Sequence, residues 1–141
     1  MDNNDFNHEK IFLDKLKSDD ELFEREFKEI TNAYVMVNSD NIHNFLKENL
    51  GVVIALKKAT SLFSEYVPYS KLSLKLVFDP IFVPQLVVIV KAPEKNFYNG
   101  FKNEIQKINK LLDPLIKEFE ISCEFFIFDS MIHNHDGKYY I

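Results

Sequence analysis

The residues of this chain that could perform metal chemistry lie near its C-terminus. Asp129, His133 and His135 alternate with other residues in a segment of extended character, and alternate residues of a strand point to the same side. One carboxylate and two imidazoles suit zinc or iron and leave a coordination position open for a substrate. A His-x-His pair beside a turn is equally typical of an exposed polar segment. The sequence therefore leaves open a metal-dependent enzyme that uses these three residues as ligands.

The rest of the chain carries no clear catalytic motif. Cys123 is the single cysteine, and it lies among apolar residues of a predicted strand, where a thiol packs as a small hydrophobic group. With only 3 glycines, the chain has no glycine-rich phosphate loop. We therefore predict no catalytic residues outside the candidate metal site, and no cofactor. A single cysteine also excludes an internal disulfide and favours a reducing, cytoplasmic compartment.

The net charge of −5 is concentrated in the first 30 residues. This segment has ten acidic and five basic side chains, whereas the rest of the chain is neutral. The chain has one arginine and no basic cluster, which argues against a nucleic-acid partner. An acidic helix face favours encounter with a protein that has a basic surface. The alternative is a solvated helix face that keeps the protein soluble.

Two groups of residues are candidates for contact with such a partner. The acidic group would steer the partner by long-range attraction. The aromatic group would anchor it, because aromatic side chains bury a large area at a small cost in entropy. Alternatively, the aromatic side chains fill the core between helices and sheet. The steering candidates are Asp19, Asp20, Glu24, Glu26 and Glu29, and the anchor candidates are Phe63 and Tyr66.

Helical periodicity dominates the first half of the chain. Ser18, with Glu21 three residues later, predicts a capping box at the start of the second helix. Gly51 predicts a left-handed cap that ends the third helix, although the following residues, 52–54, would also suit a short strand. Apolar residues recur at helical spacing in 8–17, 22–34, 42–46 and 52–66.

In the second half of the chain, apolar residues recur at every second position instead of at helical spacing. Leucine alternates with lysine and serine in 71–78, which predicts a half-buried strand. The β-branched run 86–90 predicts a central strand, antiparallel to the first because the connection is short. Pro93-Glu94 begins an amphipathic helix that we expect to kink or restart at Asp113-Pro114.

The C-terminal part predicts a further pair of strands. The third predicted strand runs from Ile121 to Asp129, and Asp136-Gly137 predicts a hairpin turn into a fourth, 138–141. Two copies of the chain could pair through an apolar edge strand at this end. A homo-oligomeric structural module, most simply a homodimer, is therefore a further alternative.

The order of these elements predicts an α+β fold in a single domain, residues 1–141. N-terminal helices, including the acidic amphipathic segment 1–34, precede a β-β-α-β-β unit, and a helix together with this unit forms the core, 52–141. We expect a small, mainly antiparallel sheet with helices packed on one face. No apolar run reaches the roughly 20 residues of a membrane span, so we expect no membrane partner.

The segment Lys71–Pro80 resembles part of a loose group of small uncharacterised bacterial proteins. In that group a helix leads into a strand that ends in Asp-Pro, followed by a second strand and a Pro-Glu helix. The corresponding parts of this chain are 56–66, 71–80, 86–90 and Pro93-Glu94. The chain departs from the pattern at Ile81, where the group has an acidic residue. The resemblance implies a helix–β–β–helix core and carries over no catalytic residue.

The lack of a clear catalytic motif, the acidic amphipathic segment and an aromatic content of 14% together favour one class of function. We expect a small acidic cytoplasmic protein that acts by binding another protein, as an antitoxin, an immunity protein or an inhibitor does.

Overall fold

A computed structural model describes residues 6–78, 84–121 and 127–133 of the chain. These residues form an α+β fold, as the sequence predicts. In chain order the elements are α1 (Asn7–Ser18), α2 (Asp20–Ala33), β1 (Val35–Met36), α3 (Ser39–Glu48), α4 (Leu50–Tyr66), β2 (Lys71–Val77), β3 (Gln85–Pro93), α5 (Glu94–Asn96), a π-helical turn (Phe97–Phe101), α6 (Lys102–Glu118) and β4 (Ile127–His133).

The described strands form one mixed sheet in the order β1-β2-β3-β4. β2 and β3 are antiparallel, as predicted, with Leu74 opposite Val88. β1 is parallel to β2, and β4 is parallel to β3. The prediction of a mainly antiparallel sheet is therefore correct only for the central pair. Helices connect the strands of each parallel pair, and such a connection returns the chain to the same end of the sheet.

Burial alternates along the two central strands, as the period of two predicts. The residues between the buried ones are exposed or half-buried. The buried side chains of both strands belong to one core, together with buried residues of α1 to α4 and α6. One face of the sheet therefore packs on helices. Its buried residues are Leu74, Leu76, Leu86, Val88, Val90 and Ala92.

The helix α4 lies at the centre of the core. Eight of its residues are buried, five of them in the unbroken run Val52–Leu56. It contacts α1, α2, α3 and α6, so several sides of the helix meet other elements. β-branched residues such as those at 52–54 have a lower helix propensity than alanine, by less than about 1 kcal/mol per residue. Burial of this segment outweighs that cost, so the segment is helical rather than extended.

The boundary between α3 and α4 lies at Asn49 rather than at a left-handed glycine. Asn49 is the C-cap of α3, and its side-chain amide donates to the Phe45 carbonyl at 2.9 Å. Gly51 is the second residue of α4, so the predicted glycine cap is wrong. An asparagine side chain can satisfy a free carbonyl at a helix end, which removes the need for a left-handed residue there.

The N-cap of α2 is Asp19 rather than the predicted Ser18. The Asp19 carboxylate accepts hydrogen bonds from the backbone N–H groups of Glu21 at 3.0 Å and Leu22 at 3.1 Å. The Ser18 hydroxyl instead donates to the Asp14 carbonyl at 3.2 Å, one turn back in α1. Both residue types suit an N-cap, and the one-residue link between the helices decides which of them takes the role.

The helix α6 continues through Asp113-Pro114, so the predicted restart does not occur there. Pro114 removes the one backbone hydrogen bond to Lys110, and burial of Leu112 and Leu115 on either side compensates for this loss. The helical path is broken further upstream, at Asn99-Gly100, where Gly100 has a φ of +96°. Glycine adopts this left-handed conformation without the steric cost that a Cβ would add.

The last described strand lies further along the chain than predicted. β4 is Ile127–His133, whereas the sequence predicts a strand from Ile121 to Asp129. Cys123 and the predicted hairpin at Asp136-Gly137 lie outside the described residues. The C-terminal edge, on which the homodimer alternative rests, lies outside them as well.

Within the described ranges, no helix combines the length and the hydrophobicity that crossing a bilayer requires.

The cap of α2 gives a first test of the fold. Asp19→Ala should lower the free energy of unfolding by about 1 kcal/mol, because two backbone N–H groups lose their acceptor. Ser18→Ala is the matched control and should have a smaller effect, since its hydroxyl bonds only to the exposed carbonyls of Asp14 and Lys15. Urea denaturation of both variants measures the difference. A larger loss for Ser18→Ala would show that the serine caps the helix in solution.

Candidate functional site

Two of the predicted steering carboxylates on α2 bind bases of α3. Asp20 lies 3.4 Å from the Lys47 amine, and Glu24 lies 2.8 Å from His43 Nε2. All four side chains are partly exposed, so each pair contributes no more than about 1 kcal/mol to stability. These ion pairs matter more for partner binding than for stability, because a carboxylate that already faces a base of its own chain attracts a basic partner less strongly.

A third steering candidate, Glu26, is buried. It is 8% exposed, and its carboxylate accepts a hydrogen bond from the Lys57 amine of α4 at 2.9 Å. The same amine lies 5.3 Å from the centroid of the Phe12 ring of α1. A buried carboxylate is costly without a partner. Glu26 and Lys57 therefore join α2 to α4, and Glu26 is not available for steering.

The remaining two steering candidates, Asp19 and Glu29, differ in role. Asp19 caps α2, as described above. Glu29 is exposed and has no ion pair with any residue that the structure describes. Of the five predicted acidic residues, three are therefore paired within the chain and one is a helix cap.

A groove runs along α4 between α1 and α2. Its first chamber, between α1 and α4, has a volume of about 380 Å³. Its second chamber, between α2 and α4, has a volume of about 240 Å³ and is lined in part by Glu26 and Glu29. Lys57 and Ser61 line both chambers. The first chamber falls within the size range of small-molecule sites.

A partly buried pair of hydrogen bonds lies beside the second chamber. Thr60, which lines this chamber, donates its hydroxyl hydrogen to the Leu56 carbonyl at 2.7 Å. Its oxygen then accepts from the Tyr34 hydroxyl at 3.0 Å. Tyr34 is 3% exposed, and this burial raises the pKa of its phenol. The phenol is thus held in its protonated, donating form.

The two predicted aromatic anchors have different positions. Phe63 is 1% exposed and packs in the core, so its ring does not reach a partner in this fold. The core-filling alternative is correct for Phe63, which follows Leu56 and Ala59 on the buried side of α4. Tyr66 is half-buried, and the Lys107 amine lies 5.0 Å from the centroid of its ring.

The outward side of the sheet, which we call the open face, was not identified as a functional surface from the sequence. Lys71 and Lys75 are exposed on it and have no ion pair with any residue in the described ranges. Lys71 stands opposite Lys91 in register, and burial lowers the pKa of Lys91. The lysine–leucine alternation in 71–77 was a signal for this surface. The residues of the open face are Val35, Lys71, Ser73, Lys75, Val77, Val87, Ile89 and Lys91.

The candidate metal ligands are only partly described. Asp129 and His133 are positions of β4, in register with Ile89 and Pro93 of β3. His135 lies outside the described residues. Among the residues within the described ranges, no group of three His, Cys, Asp or Glu side chains could hold a metal ion. The three-residue site stays a prediction.

No protein family, curated protein or solved structure matches this chain significantly. The resemblance around Lys71–Pro80 therefore stays an expectation, and the surfaces described above are the basis for inferring a function.

The pair of Glu26 and Lys57 leads to a second test. Lys57→Met should lower the free energy of unfolding by about 1 to 3 kcal/mol, because the Glu26 carboxylate stays buried without a partner. Lys58→Met removes the neighbouring exposed amine and should change stability by less than about 0.5 kcal/mol. Adding Glu26→Gln to Lys57→Met should recover part of the loss, since a neutral amide is less costly to bury. Equal losses for the two lysine variants in urea denaturation would contradict this role.

The buried phenol leads to a third test, of pH dependence. Tyr34 keeps its proton in the folded protein, whereas in the unfolded chain it ionises near its usual pKa of 10.0. Its contribution to stability is therefore complete below that pH and declines as the pH rises above it. The stability advantage of the wild type over Tyr34→Phe should shrink between about pH 9 and pH 11. A constant difference in urea denaturation over this range would show that the phenol ionises equally in both states.

Proposed function

We propose that this chain is a protein-binding module that receives its partner on the open face of the sheet. The observation that supports this most is the composition of β3, which is apolar on both sides from Leu86 to Val90. A strand that faces water on one side normally alternates apolar with polar residues, whereas a continuous apolar run is typical of a strand covered on both faces. The outward side, with Val87 and Ile89, is therefore suited to being covered.

The neighbouring strands extend this apolar area outward. Val35 of β1 is 70% exposed and Val77 of β2 is 37% exposed. Val35 lies opposite Ser73 in register, so it belongs to the same side of the sheet as the outward residues of β2. Ser73 in turn pairs with Ile89, and Val77 is two residues beyond Lys75, which pairs with Val87. The two exposed valines therefore flank the apolar residues of β3. An exposed apolar area of this kind is typical of an interaction surface.

The charges on this face indicate the chemistry of the partner. Lys71 and Lys75 lie on the outward side of β2, beside the valines, and Lys91 lies opposite Lys71. Lys71 and Lys75 have no ion pair with a described residue, so a partner carboxylate near them would gain a charged contact. An apolar centre with a charged margin is also the usual composition of a protein interface. The partner surface that fits is apolar with acidic residues at its margin.

This proposal keeps the predicted class of function but moves the binding surface. A small module that acts by covering a partner fits an antitoxin, an immunity protein or an inhibitor. The predicted partner with a basic surface has weaker support, because Asp20, Glu24 and Glu26 are paired within the chain. A cytoplasmic location remains part of the proposal and rests on the single cysteine.

A fourth test compares the two surfaces directly. Tagged wild-type protein and three charge-reversal variants are used to capture partners from native extract at low salt, followed by mass spectrometry. Lys71→Glu/Lys75→Glu should reduce recovery of a stoichiometric partner by at least about tenfold, since it reverses the charge beside the apolar area. Lys95→Glu/Lys110→Glu is the matched control, with the same change in net charge at exposed helical positions, and should retain the partner. Glu21→Lys/Glu29→Lys reverses two exposed charges of α2 and tests whether the partner binds to the acidic surface of that helix.

Each result bears on the proposal. Loss of the partner only in the β2 variant supports docking on the open face. Loss only in the α2 variant overturns that surface in favour of a basic partner, and absence of any stoichiometric partner overturns protein binding itself. In the free protein, nuclear Overhauser effects between the methyl groups of Val87 or Ile89 and residues 134–141 would assign the face to the chain's own C-terminal segment and would likewise overturn the proposal.

A further inference from the structure

We propose that the first chamber of the groove, between α1 and α4, binds a small zwitterion with an apolar body, which is the chemistry of an apolar α-amino acid. The chamber has a volume of about 380 Å³, and Phe12 of α1 and Ile54 of α4 supply apolar surface to it. Small-molecule sites are typically concave and mostly apolar, with a few polar groups that fix orientation.

Two opposite charges line this chamber without neutralising each other. Glu9 of α1 and Lys58 of α4 are both lining residues. Neither forms an ion pair with any residue in the described part of the chain, although the adjacent Lys57 pairs with Glu26 at 2.9 Å. A ligand that carries both an ammonium and a carboxylate group would satisfy Glu9 and Lys58 at once.

The hydroxyl of Ser61 completes the proposed carboxylate position. Ser61 lies three residues after Lys58 on α4, so the two side chains are neighbours on the helix surface. Thr60 donates its hydroxyl to the Leu56 carbonyl at 2.7 Å, as hydroxyl residues within helices commonly do. The Ser61 hydroxyl makes no such bond within the described residues, and it lines the chamber. Lys58 and Ser61 together present an ammonium and a hydroxyl to one carboxylate.

The position of Glu9 places the ammonium group of the ligand beside α1. Glu9 and Phe12 are three residues apart on this helix, so the carboxylate and the ring lie on the same side of it. A ligand ammonium at Glu9 would bring the apolar group of the same ligand close to Phe12. His8 also lines the chamber and adds a further polar group beside Glu9.

The charge balance favours a zwitterion over an ion of either sign. Because Glu26 pairs with Lys57, the Glu9 carboxylate and the Lys58 ammonium are the lining carboxylate and ammonium left without an ion pair to a described residue. A simple anion would leave Glu9 unpaired, and a simple cation would leave Lys58 unpaired. Among the described residues, none that belongs to the sheet lines this chamber, so the inference does not depend on docking at the open face.

The fifth test titrates the full-length ¹⁵N-labelled protein with L-leucine and L-phenylalanine and follows the amide resonances. Binding should saturate, with shifts concentrated in residues 8–12 and 54–61. The two analogues that lack one charge, 4-methylpentanoate and 3-methylbutylamine, should each bind at least about tenfold more weakly than leucine, because each leaves one lining charge unpaired. Shifts that stay linear in ligand concentration, or that lie elsewhere, would overturn the site. Equal binding of either analogue would overturn the zwitterion.

Variants with matched controls locate the two charged contacts. Lys58→Met and Glu9→Gln should each weaken leucine binding by about tenfold. Lys110→Met and Glu65→Gln remove the same groups from exposed positions outside the chamber and should leave it unchanged. Thermal melting should show that all four variants fold. Unaltered affinity in both chamber variants, or an equal loss in the controls, would show that the chamber does not bind the ligand in the proposed way.

Discussion

Burial of α4 is the interaction on which the rest of the structure depends. A fully buried Val, Leu, Ile or Phe side chain contributes about 1.5 to 3 kcal/mol relative to an exposed one, and α4 buries six such side chains and two alanines. A helix that is apolar on several sides needs neighbours on several sides. α1, α2, α3 and α6 supply them, and the buried face of the sheet belongs to the same core. The groove lies where α1 and α2 leave uncovered the side of α4 that carries Lys57, Lys58 and Ser61.

The charges of the N-terminal segment follow from this packing. When α2 lies against α3 and α4, the bases of those helices come within reach of its carboxylates, and Glu26 becomes part of the interior. Three carboxylates of α2 are therefore paired with bases of α3 and α4, and only the rest of the acidic segment remains as a charged surface. The other side of the molecule, where the sheet is not packed on described helices, combines lysines with exposed valines. The fold thus separates a helical groove lined by charges of both signs from an apolar, basic sheet face.

Features whose cause is local could be predicted from the sequence. The alternation in 71–77 and the apolar run in β3 specified an antiparallel pair, because a period of two and a short connection leave few other arrangements. Features that depend on competition between neighbouring residues could not be predicted from the sequence. Ser18 and Asp19 are equally suited to cap a helix, and Pro114 would break a helix that lacked the buried residues beside it. β1 is only two residues long, too short for any periodic signal, so its parallel pairing with β2 was not predictable. The parallel pairing of β3 with β4, in contrast, is consistent with the helix that was predicted between them.

The same distinction holds for the candidate sites. By itself, the sequence determined that the chain is α+β, that its net charge lies in the first 30 residues, and that Glu24 and Glu26 would be on an amphipathic helix. Only the tertiary structure decided that His43 and Lys57 would face these carboxylates. The residues of these pairs are 19 and 31 positions apart, and no local pattern encodes such a separation. The placement of Glu9 and Lys58 around one chamber has the same origin, since it depends on how α1 packs against α4.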